Sequence, residues 1–396
     1  MKIFLIFYFC LFTFCIYGQQ VCKGNVKDKT THLPIPNSSV TYTGKTMGTI
    51  ANTDGDFVIP FFNTSTDTLL ITCIGYKTLK ISTVNLNVHN PLLIQLEQQS
   101  VELEEVIVLS ESPNAFLKRM SANSVKHLYN PVMLETYYRE FVKKNGQFSR
   151  FSDGILNFYL ENKGKKKIES IYVLQSRAKE AKVEAEEGKD VDMPPIFGPD
   201  KIADFYYVQR SMIKFTDSAK YDINIKLAKG KESQDYYILE VTPKPDIKEP
   251  LSLGKIFIDK SSSIITRVEM EVPESNRPYL PEINVLIVRE KISYRNIILE
   301  YRIVGEKCYL KYAKINYGLH IYDKKKTNLN FDFRIELLTY NANYNQVKPY
   351  DDKPKYTKNT LYKHGTDYNN EFWKSYGVIV STDEEIKMIE SMKEKK

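Results

Sequence analysis

Tyr309-Leu310-Lys311-Tyr312-Ala313-Lys314-Ile315 sets lysines among aromatic, branched and small apolar residues. Tyrosine and isoleucine suit an extended, pleated chain, and charge this dense between them points to strands with one solvated face. Outer-membrane barrel strands instead show lipid an uninterrupted apolar side over about ten residues, so the motif argues against a barrel. Working outward, similar strands are expected at 221–228, 235–242, 254–259, 264–272, 283–291, 295–304, 307–317 and 328–340, with turns at Lys260-Ser261-Ser262 and Gly305-Glu306. So long an antiparallel run must curl, split or close to hide its edges. The expected solution is a curved, half-barrel-like sheet with a helix in its concave side.

Upstream, Leu117, Met120, Ser124 with Val125, and Leu128 recur at three-to-four spacing, which predicts an amphipathic helix over 115–128. Strands at 134–142 and 148–159 flank Asn145-Gly146, a strong hairpin signal. A charged stretch at 177–192 and the Pro194-Pro195 break precede a helical segment at 200–215. Near the C-terminus Thr382 and Glu385 form a capping box ahead of Ile386, Ile389 and Met392. Just before it, Trp373, with Phe372, Tyr376 and Ile379, reads as an anchor for the tail.

From Val21 to Val108 short apolar runs recur with turn residues every eight to twelve positions, the pattern of a β-sandwich. They are 22–26, 39–42, 49–52, 57–59, 69–74, 79–81 and 92–96. Asp54-Gly55 supplies the turn of an expected hairpin between the third and fourth runs. The series Gly24-Asn25-Val26-Lys27-Asp28, Pro34-Ile35-Pro36-Asn37, Thr53-Asp54-Gly55-Asp56-Phe57, Ile74-Gly75-Tyr76-Lys77 and Leu103-Glu104-Glu105-Val106-Ile107-Val108 closely resembles the carboxypeptidase-regulatory-like (transthyretin-like) domain that begins many exported proteins of Bacteroidota. The resemblance implies a non-catalytic sandwich. Farther on, Gly254-Lys255-Ile256-Phe257-Ile258-Asp259 with Ile264-Ile265 resembles the strand-turn-strand of half-barrel folds such as periplasmic lipoprotein carriers.

Residues 1–18 read as a secretory signal: Lys2, the mostly apolar run Ile3 to Ile16, and Gly18 at the cleavage point. Cys10 and Cys15 follow Phe and Cys22 follows Val21, so none sits in the small-residue context of a lipidated cysteine. After cleavage Cys22, Cys73 and Cys308 remain, an odd number. Cys22 and Cys73 either pair or serve as small apolar residues of the sandwich, the second reading being preferred.

The 396 residues are 42% hydrophobic and 27% charged, which excludes wholesale disorder. Candidate chemistry is thin. His320-x-x-Asp323 and His364-x-x-Asp367 fall short of a zinc-peptidase signature, and on a strand positions i and i+3 diverge. His32, His89 and His127 read as surface residues. Gly44-Lys45-Thr46 copies the end of a phosphate loop but lies between two strands. No Gly-x-Ser-x-Gly elbow is present. Glu135, Glu140, Glu240, Glu269 and Glu300 are the carboxylates that could face the concave surface as acid and base. Lys163–Lys167 and Lys324–Lys326 are expected at solvated hairpin tips.

The expected organisation is a signal at 1–18, a regulatory-type sandwich at 19–108, a linker and helix at 109–132, a curved antiparallel sheet at 133–380 and an amphipathic helix at 381–396. The fold class is mainly β, with short helices. The expected function is an exported, non-enzymatic binding or envelope-assembly module without metal or cofactor. Its partner would be a cell-envelope protein, glycan or lipid and not nucleic acid, and no membrane-spanning segment is expected after the signal. The alternatives are a carrier or sensor for an apolar or glycan ligand in the concave face, and a hydrolase with an unrecognised carboxylate site.

Overall fold

The protein is described from a computed structural model that defines residues 20–61, 67–84, 86–99, 102–103, 109–164, 166–181, 195–229, 235–285, 288–323, 327–357, 360–364 and 379–394. The signal at 1–18, Glu104–Val108, Lys324–Lys326, Asp367, and Trp373 with Phe372 and Tyr376 lie outside the described residues.

The first seven strands are β1 (Val21–Asp28), β2 (Ser39–Tyr42), β3 (Gly48–Ile50), β4 (Asp56–Pro60), β5 (Thr68–Thr72), β6 (Leu79–Ser82) and β7 (Leu92–Leu96). They form two sheets, β4-β1-β7 and β3-β2-β5-β6. Alternate residues point between the sheets, where Cys22, Val26, Tyr42, Phe57, Leu69 and Ile94 pack. The Asp54-Gly55 turn is a corner between the sheets and not the expected hairpin, because β3 and β4 belong to different sheets. Asn52 Oδ1 accepts from the backbone N–H of Asp54 (2.9 Å) and Asp56 (2.8 Å), and Gly55 turns at φ +81 with a site for Cβ only 2.4 Å from the Val26 carbonyl. Gly55 therefore combines left-handed backbone with close approach, a pairing that only glycine meets. Cys22, Cys73 and Cys308 are free thiols.

The large sheet comprises β8 (Glu102–Leu103), β9 (Val132–Lys144), β10 (Gln147–Lys163), β11 (Lys166–Glu180), β12 (Tyr221–Lys229), β13 (Tyr236–Pro243), β14 (Leu253–Asp259), β15 (Ile264–Glu271), β16 (Glu282–Val285), β17 (Val288–Val304), β18 (Lys307–Tyr322), β19 (Asn328–Asn343) and β20 (Lys393–Glu394). Its order is β20-β11-β10-β9-β19-β18-β17-β15-β14-β13-β12-β8, with β16 folded back on β17. Two sequence expectations change. The runs 283–291 and 295–304 are divided as β16 and one long strand, β17. The start of the charged stretch continues β11 to Glu180, where alternating residues still pair with β10. The meander also does not end free, since β9 pairs with β19.

One face of this sheet, called inner, carries the main core. Leu134, Leu156, Phe158, Val268, Leu299, Ile315 and Phe333 pack there beneath helix α1 (Pro113–Lys126) and the 3-10 stretch Phe205–Thr216, which follows the short helix α2 (Pro199–Asp204). α1 begins at Ser112, whose side chain accepts from the Ala115 N–H, with Pro113 in the first turn. It buries Phe116, Leu117 and Met120, each worth about 1.5–3 kcal/mol of apolar burial. Ser124 Oγ accepts from the Ile265 N–H at 2.9 Å, which fixes the helix on β15. On the opposite, outer face sit the sandwich and the C-terminal helix α3 (Asp383–Ser391), started by the expected Thr382/Glu385 capping box. The β11 edge is covered by β20 and by a bridge from Tyr172 to Lys355. Among the described residues no helix is long and apolar enough to cross a membrane.

Candidate functional site

The sandwich meets the outer face through the β2–β3 loop. Arg302 of β17 donates to the carbonyls of Tyr42 (2.8 Å) and Met47 (3.2 Å), and Tyr309 of β18 donates to that of Thr46 (2.7 Å). Thr46 in turn donates to Asn341 Oδ1 at 2.7 Å, while Ile50 packs with Tyr312 and Leu338. Gly44-Lys45-Thr46 is thus a docking loop, and Lys45 pairs with Asp67 at 2.7 Å.

Beside this contact a cleft of about 610 Å³ opens between the sandwich and the large sheet. Ser39, Thr41, Leu70 and Cys73 line its roof; Tyr236, Ile238, Phe257, Arg267, Glu300 and Lys311 line its floor. Two β-bulges shape that floor. β17 and β18 pair as Tyr301↔Leu310 and then Glu300↔Tyr312, leaving Lys311 as the extra residue. β14 and β15 pair as Phe257↔Arg267 and then Ile258↔Ile265, leaving Thr266 as the extra residue. A bulge breaks the up-down alternation and re-aims a side chain. Here both extra residues line the same cleft.

Lys311 is 4% exposed and donates to Ser39 Oγ across the domain boundary. Among the described residues no carboxylate lies within ion-pair distance of it. Burial pushes its ammonium down to about 7; Glu300 opposes that fall and Arg302 adds to it. Glu300 is engaged by Arg267, which also holds Glu269 at 2.6 Å. Burial, with Glu300 nearby, pushes the Cys73 thiol up to about 11, so it is no thiolate nucleophile at neutral pH.

A second buried polar group lies on the outer face under α3. Arg139 of β9 binds Glu336 of β19 at 2.8 Å and Glu385 of α3 at 3.2 Å; Arg334 also binds Glu385, and Tyr312 donates to Glu336 at 2.7 Å. Burial alone would raise Glu336, yet Arg139 and Arg334 hold it at about 2. Every buried charge in this group has an opposite partner.

Of the five carboxylates singled out by sequence, only Glu269 and Glu300 come together, both on the Arg267 guanidinium. Glu140 alone shares the inner face, where it accepts from Tyr138 (2.8 Å), Ser152 (2.6 Å) and Thr360 (2.9 Å). The other four point outward, because their strand neighbours Leu134, Leu239, Val268 and Leu299 fill the inner core. There Glu135 accepts from Asn341, Glu240 pairs with Lys226 at 2.7 Å, and Glu269 and Glu300 share Arg267. His320 pairs with Asn328 Oδ1 at 2.8 Å, whereas Asp323 accepts from Thr327. His364 lies at the end of a 3-10 turn, 361–363. Sequence reasoning missed Lys311, although a signal was present. Lys311 and Lys314 stand three apart in one strand, and two lysines at that spacing can both avoid an apolar core only if a bulge separates them.

Residues 22–108 match the family model of the CarboxypepD_reg-like domain. No curated protein matches the chain. Among solved structures it is similar to a DUF1329 family protein from Desulfovibrio piger, with 12% identity over 60% of this chain and 96% of that one and a TM-score of 0.28. It is also similar to a LolA superfamily protein from Nitrosomonas europaea, with 7% identity over 56% and 92% of the two chains and a TM-score of 0.21. With TM-scores this far below 0.5, neither likeness bears on function.

Proposed function

We propose that the protein is an exported, non-enzymatic binding module of the cell envelope whose ligand seat is the cleft between its sandwich and its large sheet. The observation that carries this reading is the construction of the cleft. Two bulges, one on either side of β17's neighbourhood, direct Lys311 and Thr266 into a space of about 610 Å³, within the roughly 300–1,000 Å³ common for small-molecule sites. The inner face is the weaker seat, because α1 and the 3-10 stretch fill it with buried side chains. Each of these carboxylates is bound to a cation, a hydroxyl or an amide, and Glu269 and Glu300, the two that come together, are both held by Arg267, which favours binding over hydrolysis. Export rests on the residue pattern of 1–18, and an intact mass beginning at Gln19 on secreted protein would support it.

Thermal shift against a panel of envelope glycans, lipids and small organic anions tests the seat. Thr41→Trp should fill the cleft roof and abolish any ligand-induced rise in Tm seen with the natural sequence. A ligand that stabilises both proteins equally would move the seat elsewhere, and turnover of any panel compound would overturn the non-enzymatic reading.

A further inference from the structure

We propose that the cleft receives an organic monoanion, an apolar body carrying a single carboxylate, with Lys311 and the Ser39 hydroxyl holding its head. The proposal rests on the cleft being the ligand seat and adds the ligand's chemistry. Three cations line the space, Arg267, Arg302 and Lys311. Arg267 is neutralised by Glu269 and Glu300, and Arg302 is turned to the main-chain carbonyls of Tyr42 and Met47. Lys311 has a hydroxyl as its hydrogen-bond partner where Arg139, equally buried on the same face, has two carboxylates. A buried ammonium without a counter-ion is costly, and an arriving carboxylate would supply one.

The same lining limits the ligand. Glu269 and Glu300 remain in the cleft and would repel a dianion such as a phosphate monoester, whereas Arg267, Arg302 and protonated Lys311 set against those two carboxylates leave the lining one positive charge, which one negative charge matches. Tyr236, Ile238 and Phe257 on the floor and Leu70 on the roof present apolar surface for a flat hydrocarbon body. The groups facing Lys311 are Glu300 and Arg302 from β17 and Cys73 from the sandwich. With its ammonium near half-deprotonation at neutral pH, anion binding must draw a proton onto Lys311. Affinity should therefore fall as pH rises, approaching tenfold per pH unit above about 7.

Isothermal titration of the full mature chain with 4-phenylbutyrate, and with 4-phenylbutanol as its neutral counterpart, tests this at pH 6.0 and 8.5. The expected result is binding of the carboxylate, tighter at pH 6.0, with proton uptake read from buffers of different ionisation enthalpy. Lys311→Met, which keeps the side-chain bulk, should weaken 4-phenylbutyrate at least tenfold and leave the alcohol unchanged. The pH dependence and proton uptake of the natural sequence supply the answer should that variant misfold. Equal affinity for the alcohol and the acid would overturn the anion while leaving the cleft as seat; binding of neither would overturn both. Preference for phenyl phosphate would overturn the single-charge limit.

Discussion

The outer face of the large sheet is covered twice, and the two covers treat buried charge in opposite ways. Under α3, Arg139 at 3% exposure meets Glu336 and Glu385, and Arg334 and Tyr312 complete the set. Under the sandwich, Lys311 at 4% exposure meets a serine hydroxyl and borders an open cleft. Burial is therefore no measure of role. A closed set of opposite charges fixes one element on another, whereas a cation held without an acid beside a cavity is poised for something that arrives.

The largest test of that contrast is Arg139→Leu. It strands Glu336 and Glu385 with Arg334 alone and should cost about 3–5 kcal/mol in urea denaturation; a loss under about 1 kcal/mol would place the α3 group among dispensable contacts. Next, Glu336→Gln should lose about 1.5–3 kcal/mol at pH 7. Because Glu336 sits near 2 when folded and near its ordinary 4.5 when unfolded, its contribution is present above pH 4.5 and disappears as pH falls toward 2, so the variant should show a flatter acid limb.

Lys311→Met should go the other way and raise the urea midpoint at pH 6, by at least ~1 kcal/mol in stability. Folded Lys311 releases its proton near 7 and the unfolded chain near 10.5, so the unfolded state binds more protons between those values. The natural protein then gains stability with rising pH across that window, and the advantage of methionine should shrink there. A destabilised Lys311→Met at pH 6 would instead make the lysine a structural tie. The smallest effect is expected from Thr46→Ala, which removes one interdomain hydrogen bond for about 0.5–1.5 kcal/mol, read as a Tm change.

Much of the fold was legible. The strand runs of the sandwich, the amphipathic helix and the Thr382/Glu385 cap depend on neighbours in sequence, which periodicity and capping chemistry report directly. Sheet order was not, because the pairing of β9 with β19 joins segments that share no local signal. The Asp54-Gly55 turn shows the same divide: the dipeptide declared a reversal, but whether the next strand joined the same sheet depended on long-range packing. The site was legible least of all. The sandwich roof and the sheet floor are far apart in sequence, and Lys311 reads as one solvated lysine among many until the bulge beneath it is seen.

The β9–β19 ladder sets the order in which the molecule can be assembled. Thr136 pairs with Thr339, so β9, β10 and β11 must wait with an unsatisfied edge while the rest of the sheet is laid down. Sandwich strands find most partners within their own segment, and loop-closure entropy disfavours distant pairing until late. A chain emerging from its N-terminus would complete the sandwich first and present the β2–β3 loop before β18 exists to receive it. The slow step then falls on the second domain, whose waiting edge is the segment most in need of chaperoning.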